Sequence, residues 1–269
     1  MKNTFKKLFI SFTVLSLTAC GSTTMQDNTF AAKENKDFTK YTNQLVVEYA
    51  ENDYTTMHQF FEHPENYGID VNKVDISLGE FYTDNTKEIK EDQKELKKFN
   101  RSTLDKTQQT IYDELKYENE LILKAENKKF QYLNNCWSTM SGLHQSLISV
   151  FSEYILRNEQ DIKDLITLIN DVPRYTNDVL EYTKEQADKN TLQFDYESVT
   201  QDIQDVINNK EDSSITSALY NAIDALNLDA EKTTSYKAQV KEAMDTNFFP
   251  SYQAMLDTLT SLQSKVQPL

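Results

Sequence analysis

Eight apolar residues near the C-terminus are spaced so that a helix would bring them onto one face. The series is Tyr236, Val240, Met244, Phe248, Tyr252, Met255, Leu259 and Leu262. Its steps of three and four residues follow the 3.6-residue turn of an α-helix, and such a stripe must be covered by other helices. Only four glycines and four prolines occur in 269 residues, so few positions interrupt helices. The chain is therefore predicted to be all-α, an elongated array of long, kinked helices without significant sheet.

A second apolar pattern predicts another long helix in the middle of the chain. It runs through Ile162, Leu165, Ile166, Ile169, Val172, Val179 and Leu180. Pro173 lies within this pattern, and Pro250 lies within the C-terminal series. A proline inside a helix lacks a backbone donor and crowds the carbonyl four residues earlier. Both helices are therefore predicted to kink, or to break and restart, at their proline.

Polar residues ahead of apolar runs predict where helices begin. Residues 102–105, Ser-Thr-Leu-Asp, have the form of a capping box. Asn158 and Asp229 are placed to cap two further helices. The charged segment 81–99 predicts a solvated outer helix, whereas 63–79, which holds one proline and two glycines, predicts a loop.

The first twenty residues have the pattern of a secretory signal. Three lysines precede an apolar run that ends at Leu17, and this run is about half as long as a membrane-spanning helix. The sequence Leu17-Thr18-Ala19-Cys20 resembles the lipobox of bacterial lipoproteins, in which the cysteine thiol receives a diacylglycerol. Cys20 is therefore predicted to be the lipid attachment site, holding the chain on the extracytoplasmic face of the cell membrane. A signal cleaved nearby without lipidation is the alternative.

The composition after Cys20 divides the remainder in two. Residues up to about Asn35 are small, polar and aperiodic, as in a flexible tether, and helical periodicity follows. Three segments are predicted: a signal peptide at 1–19, a tether at 20–36 and a helical domain at 37–269.

The charge balance argues against nucleic acid as a partner. The chain has 28 Lys and Arg against 43 Asp and Glu, a formal net charge of −15. Cleavage of the predicted signal peptide would remove three lysines and no acidic residue, which makes the net charge still more negative. Phosphate backbones would be repelled by such a surface. The acidic balance fits either an ordinary solvated surface or a cleft for cationic peptides.

Rare residues in the stretch CWSTMSGLHQ raise the question of a catalytic pair. Cys136 and His144 would lie about 12 Å apart along one helix, too far for a nucleophile and its base. A turn at Gly142 could bring them together, but no orienting group or oxyanion donor is evident. The prediction is a small buried thiol and a hydrogen-bonded histidine. With Cys20 lipidated, Cys136 has no partner for an internal disulfide.

The histidines do not form a recognisable metal motif. His58 and His63 flank Glu62, but five residues place the two histidines roughly 140° apart around a helix. HExxH, which puts two ligands on one face, does not occur. No catalytic residue, metal site or cofactor is predicted.

Several segments spread along the chain form a recognisable series. They are Phe38 to Tyr49, Thr56-Met57-His58, residues 64–69, Ser141-Gly142 with Gln145, Tyr154, Asp161, Asp164, Pro173, Tyr175 and Pro250-Ser251-Tyr252. This series resembles the domain-of-unknown-function 885 family of bacterial helical, metallopeptidase-like proteins, many of them lipoproteins. These pieces occur in the family's order over about 230 residues.

The resemblance implies a helical body that shapes a peptide cleft, with zinc chemistry in a C-terminal half of the family. No zinc ligand of that half can be transferred to a position here, so the chain is predicted to correspond to the non-catalytic N-terminal half. It would bind peptides, or act with a separately encoded catalytic half as a split or truncated copy. The alternatives are a surface adaptor lipoprotein that binds another envelope protein or cell-wall material, and a gene remnant.

Overall fold

The computed structural model describes residues 33–81 and 85–268, and these residues form helices without a β-strand. An isolated bridge between Gln193 and Gln267 accompanies the helices. The helices are α1 (Lys36–Asn52), α2 (Tyr54–Phe60), α3 (Thr86–Leu96), α4 (Lys106–Ala125), α5 (Leu143–Ser152), α6 (Glu159–Asp188), α7 (Tyr196–Asn208), α8 (Ser214–Ala225), α9 (Ala230–Ala243) and α10 (Phe249–Ser261). The predicted all-α class is confirmed.

The chain forms two compact units, each built from several separate segments. The described part of the first unit is 33–52, 64–71 and 85–131, and that of the second is 53–63, 72–81 and 132–268. The predicted signal peptide, Cys20 and most of the tether lie outside the described residues. No helix of the described part has both the length and the apolar content needed to cross a membrane.

Helices α1, α3 and α4 build the core of the first unit. The main cluster of buried apolar residues in this core consists of Phe38, Leu96, Leu104, Ile111 and Leu115. The Phe38 ring meets the Phe99 ring edge to face, with their centroids 5.1 Å apart. In the charged helix α3, Ile89 and Leu96 are buried, as the sequence predicts for an outer helix with few core residues.

The start of α4 differs from its prediction. Asp105, rather than Ser102, is the N-cap, and it forms a capping box with Gln108. Residues 101–103 instead form a short 3₁₀ turn. Gln108 favours this register because its amide also exchanges two 2.9 Å hydrogen bonds with the backbone of Asn35, which ties the starts of α1 and α4 together.

Helix α6 is the longest element of the second unit and runs for 30 residues. Asn158 caps it in a capping box with Asp161, which confirms the predicted start. The predicted break at Pro173 does not occur, because the helix continues through this residue, and the alternative of a kink there stays a prediction. Pro173 lies on the exposed face, while its neighbour Val172 is fully buried, so the packed face holds the helix together across the missing donor.

All eight residues of the C-terminal apolar series are buried. They lie on α9, on a π-helical turn at Met244–Phe248, on α10, which restarts at Phe249 immediately before Pro250, and at Leu262, the C-cap of α10. In a regular α-helix, Tyr236 and Tyr252 would be separated by roughly 160° because their 16-residue separation is not a multiple of 3.6. The π turn adds a residue, which corrects this drift and keeps both rings buried.

Candidate functional site

A groove of about 620 Å³ opens on the second unit beside the π turn. Its apolar lining consists of Ile207, Phe249, Pro250 and Ala254. Ile207 belongs to the end of α7, and the other three belong to the first two turns of α10, so two helix ends form its walls. Its volume lies in the range of ordinary ligand sites, so this groove of the described residues is a candidate for binding.

The π turn positions the wall formed by α10. The N–H of Phe249 bonds to the carbonyl of Met244, five residues earlier, instead of four. Pro250 follows at the first turn of α10, where its missing donor is tolerated. Phe249 is buried while Ala254 is exposed, so the groove has a packed base and an accessible small residue in its wall. Single π turns inside α-helices are frequent at functional sites.

Polar side chains of both signs complete the groove lining. They are Lys210, Glu211, Asp245, Gln253 and Asp257. Lys210 Nζ lies 3.8 Å from Glu211 Oε1, and the neighbouring Lys241 pairs with Asp245 at 2.6 Å. The Gln253 amide donates to Asp257 Oδ1 at 2.8 Å. These groups are exposed, so solvent screens their pairing and they remain available to a ligand.

A buried polar network surrounds His58. Tyr54 Oη donates to Asp164 Oδ2 at 3.0 Å and lies 2.8 Å from Tyr154 Oη. The Gln160 amide donates to Asp164 Oδ1 at 2.8 Å. The network thus joins α2 to the segment before α6 and to α6 itself. His58, Tyr154 and Asp164, which carry the family resemblance in two distant parts of the sequence, come together here.

The environment of His58 favours a neutral imidazole. Its ring stacks on the Tyr154 ring at a centroid distance of 4.4 Å and lies nearly parallel to the Tyr54 ring at 5.5 Å. Nε2 lies 2.7 Å from the carbonyl oxygen of Ile155, so this nitrogen carries the proton, and Nδ1, 3.5 Å from Tyr54 Oη, is the acceptor. Burial lowers the pKa of His58, although Asp161 Oδ1, 3.9 Å from Nδ1, acts in the opposite direction.

His63 does not join His58 in a metal site. Helix α2 ends at Phe60, so the two histidines do not lie on one helix. Among residues 33–81 and 85–268, no three side chains of His, Cys, Asp or Glu are arranged to hold a metal ion.

The Cys136 and His144 region is a packed junction. Gly142 is the N-cap of α5, and its N–H bonds to the Ser138 carbonyl at 2.7 Å. Trp137 is 1% exposed and donates its indole N–H to Thr183 Oγ1 at 2.9 Å. Cys136 is buried, as predicted, and burial raises the pKa of its thiol to about 12. A thiol in this state is a poor nucleophile.

His144 is buried, but its imidazole is not hydrogen-bonded as the sequence predicts. Neither ring nitrogen makes a hydrogen bond with the described residues, and the nearest acceptor is Asp202 Oδ2, 3.6 Å from Nε2. Asp202 instead accepts a 3.2 Å bond from Gln145, the next residue of α5. In contrast to the imidazole, the backbone carbonyl of His144 is hydrogen-bonded, because it accepts a bond from Tyr252 Oη.

The sequence did not predict the groove because the residues of its two walls, 207–211 and 245–257, are far apart in the chain. One local signal was present in the C-terminal series. Four successive steps of four residues, from Tyr236 to Tyr252, exceed the α-helical period and indicate an extra residue in the helix. Tyr54 was also missed, since its partner Asp164 is 110 residues away.

Comparison with known proteins gives one match. The family model described as "Bacterial protein of unknown function (DUF885)" matches residues 68–268. This span contains the whole groove, the Cys136 and His144 junction, and α6, whereas Tyr54 and His58 precede it. No curated protein and no solved structure shows significant similarity to the chain.

Proposed function

The chain belongs to the DUF885 family of bacterial proteins of unknown function, and from this premise we propose that it binds peptides without cleaving them, as a lipid-anchored extracytoplasmic protein. The groove beside the π turn is the observation that carries the peptide-binding part. The lipobox-like sequence at Cys20 carries the anchoring part.

The groove suits a peptide in size and in chemistry. Its volume of about 620 Å³ holds a few side chains rather than a whole folded partner. The apolar base formed by Phe249 and Ile207 would cover an aliphatic or aromatic side chain. Gln253, Lys210 and the carboxylates at the rim offer donors and acceptors for peptide amides and carbonyls.

The charges favour peptides that carry lysine or arginine. Glu211, Asp245 and Asp257 line the groove against Lys210 in the lining and Lys241 beside it, so the carboxylates outnumber the cations by one. The strongly acidic chain adds a long-range attraction for cationic peptides, which raises their association rate at low salt. We therefore expect affinity for basic peptides to fall as the salt concentration rises.

Peptide binding can be tested by filling the groove. Ala254 is exposed in the groove wall, and Ala238 is an exposed alanine on α9 outside the groove lining. Fluorescence anisotropy with a set of labelled basic, acidic and neutral peptides should show binding of basic peptides to the wild type and to Ala238→Trp. Ala254→Trp should weaken this binding by about tenfold or more, as expected when a main contact surface is lost.

Mass spectrometry of the peptides after incubation separates binding from hydrolysis. Intact peptides are expected. The proposal fails if no peptide in the set binds, if Ala254→Trp binds as well as Ala238→Trp, or if the peptides are cleaved.

Lipid anchoring is tested independently at Cys20. The wild type should incorporate a radiolabelled fatty acid and sediment with membranes, because two acyl chains give a stable anchor. Cys20→Ala should lose both properties. Unchanged membrane association of this variant would overturn the anchoring proposal and leave the groove experiment unaffected.

A further inference from the structure

A small cavity adjoins the His58 network and plays no part in the proposed peptide groove. Its volume is about 130 Å³, too small for a typical drug-sized ligand but sufficient for one functional group. His58 and Tyr154 form its buried side, while Gln59, Ser149 and Glu153 are exposed side chains around it.

Hydrogen bonding inside the network leaves an unused acceptor on Tyr154, which is one of the residues that line the cavity. The single hydroxyl proton of Tyr54 is donated to Asp164 Oδ2. The 2.8 Å contact between the two tyrosine hydroxyls therefore requires Tyr154 to donate to Tyr54. The remaining lone pair of Tyr154 Oη is open to a donor.

Two further lining groups have already used their protons. Thr55 Oγ1 donates to Asp53 Oδ1 at 2.7 Å, so its oxygen remains only as an acceptor. His58 directs its Nε2 proton to the Ile155 carbonyl at 2.7 Å. The lining also holds the Glu153 carboxylate, together with the Gln59 amide and the Ser149 hydroxyl, which can accept as well as donate. The cavity therefore offers several acceptors and one negative charge.

From this arrangement we infer that the cavity binds a primary ammonium group. An ammonium carries three donors and a compact positive charge, which match several acceptors and one carboxylate. The aromatic ring of Tyr154 adds a favourable surface for a cation. Arg157 Nη1 lies 3.5 Å from His58 Nε2, but Asp161 and Asp164 face the same imidazole and balance this positive charge.

Primary ammonium groups occur at peptide N-termini and on lysine side chains, and two probes distinguish these sources. Glycinamide carries the α-ammonium, and Nα-acetyl-lysine amide carries the ε-ammonium. Nα-acetyl-glycinamide, which has no charge, is the matched control compound. Binding is followed by the imidazole NMR signals of His58, assigned by comparison with His58→Gln, and by calorimetry of the purified protein.

At least one ammonium probe should shift the His58 signals in a saturable manner, and the neutral compound should not. Glu153→Gln should weaken binding by about tenfold or more because it removes the charge that pairs with the ammonium. Glu242→Gln, at an exposed position on α9, is the matched control and should bind as the wild type does. Ser149→Leu should block the cavity without touching the buried network.

The inference is wrong if neither ammonium probe binds, if the neutral compound binds equally well, or if Glu153→Gln and Ser149→Leu leave the affinity unchanged. Because Ala254→Trp lies in the peptide groove and not in this cavity, the two proposals can fail separately.

Discussion

The imidazole of His144 is 1% exposed and points its Nε2 at Asp202 Oδ2 from 3.6 Å, slightly beyond hydrogen-bonding distance. Burial lowers the pKa of His144, and the nearby Asp202 carboxylate offsets part of this effect. The folded state therefore binds a proton at His144 less readily than the unfolded chain does.

This relationship predicts a loss of stability in mild acid. Below a pH of about 6.5, histidine is protonated in the unfolded chain while His144 stays neutral in the folded one. The free energy of unfolding should therefore decrease as the pH falls from 7.5 to 5.5. The limiting slope is about 1.4 kcal/mol per pH unit for one histidine, and His58, whose pKa is also lowered, contributes with the same sign. Urea unfolding at several pH values measures it.

Asp202→Asn isolates the role of the carboxylate. Without the negative charge, the pKa of His144 should fall further, as followed by its imidazole NMR signals. An unchanged pKa in this variant would show that Asp202 does not influence His144.

Thr183→Val should destabilise the protein by about 1–3 kcal/mol because the Trp137 indole N–H would be left buried without its acceptor. Trp137 is the chain's single tryptophan, so urea unfolding can be followed by its fluorescence. Thr183→Ser keeps the hydroxyl and should cost less. A Thr183→Ser protein that loses as much stability as Thr183→Val would contradict the importance of this hydrogen bond.

Gly142→Ala should lower the free energy of unfolding by about 1–3 kcal/mol, as for an overpacked site. An added Cβ would lie 2.5 Å from the Ser138 carbonyl oxygen and 2.9 Å from His144 Cε1. Ser141→Ala, at the exposed neighbouring position, is the matched control and should be close to neutral. A Gly142→Ala protein as stable as this control would show that the turn relaxes freely.

Pro173→Ala should stabilise the protein by roughly 1–3 kcal/mol. The substitution restores a backbone donor within α6 at an exposed position, and the gain is reduced by the greater freedom of the unfolded chain. Thermal and urea unfolding of the variant and the wild type test this. No gain would indicate that the helix already compensates for the missing bond at no cost.

Cys136 should react slowly with thiol reagents while the protein is folded. Its thiol is buried and its pKa is raised to about 12, so little thiolate exists at pH 8. In a Cys20→Ser background, Cys136 is the only remaining cysteine. Labelling should accelerate strongly in urea, and equal rates with and without urea would contradict the packed junction.

The sequence predicted those parts of the fold that depend on local spacing. The C-terminal apolar series identified eight core positions, and Asn158 identified the start of α6, because both follow from helix geometry within a few turns. A break at Pro173, one of the two predicted outcomes, does not occur because the packing of Val172 and its neighbours, which local propensity does not contain, holds the helix together.

The candidate sites were much less accessible from sequence. Tyr252 reaches the carbonyl of His144 across 108 residues, and Tyr54 reaches Asp164 across 110. No periodic pattern in the sequence relates residues so far apart. The polarity of each residue could be read from the sequence, but its hydrogen-bond partner could not. The groove depends in addition on the π turn, a one-residue irregularity that the four-residue spacing signals but does not locate.

The interleaving of the two units constrains the order in which a ribosome can complete them. Every described segment of the first unit has been synthesised once residue 131 has emerged, whereas the second unit lacks its largest segment until 132–268 follows. Residues 53–63, which carry Tyr54 and His58, and residues 72–81 must therefore wait for partners made later. The first unit can mature early during translation, while the second is a late product whose early segments stay exposed to chaperones and proteases in the meantime.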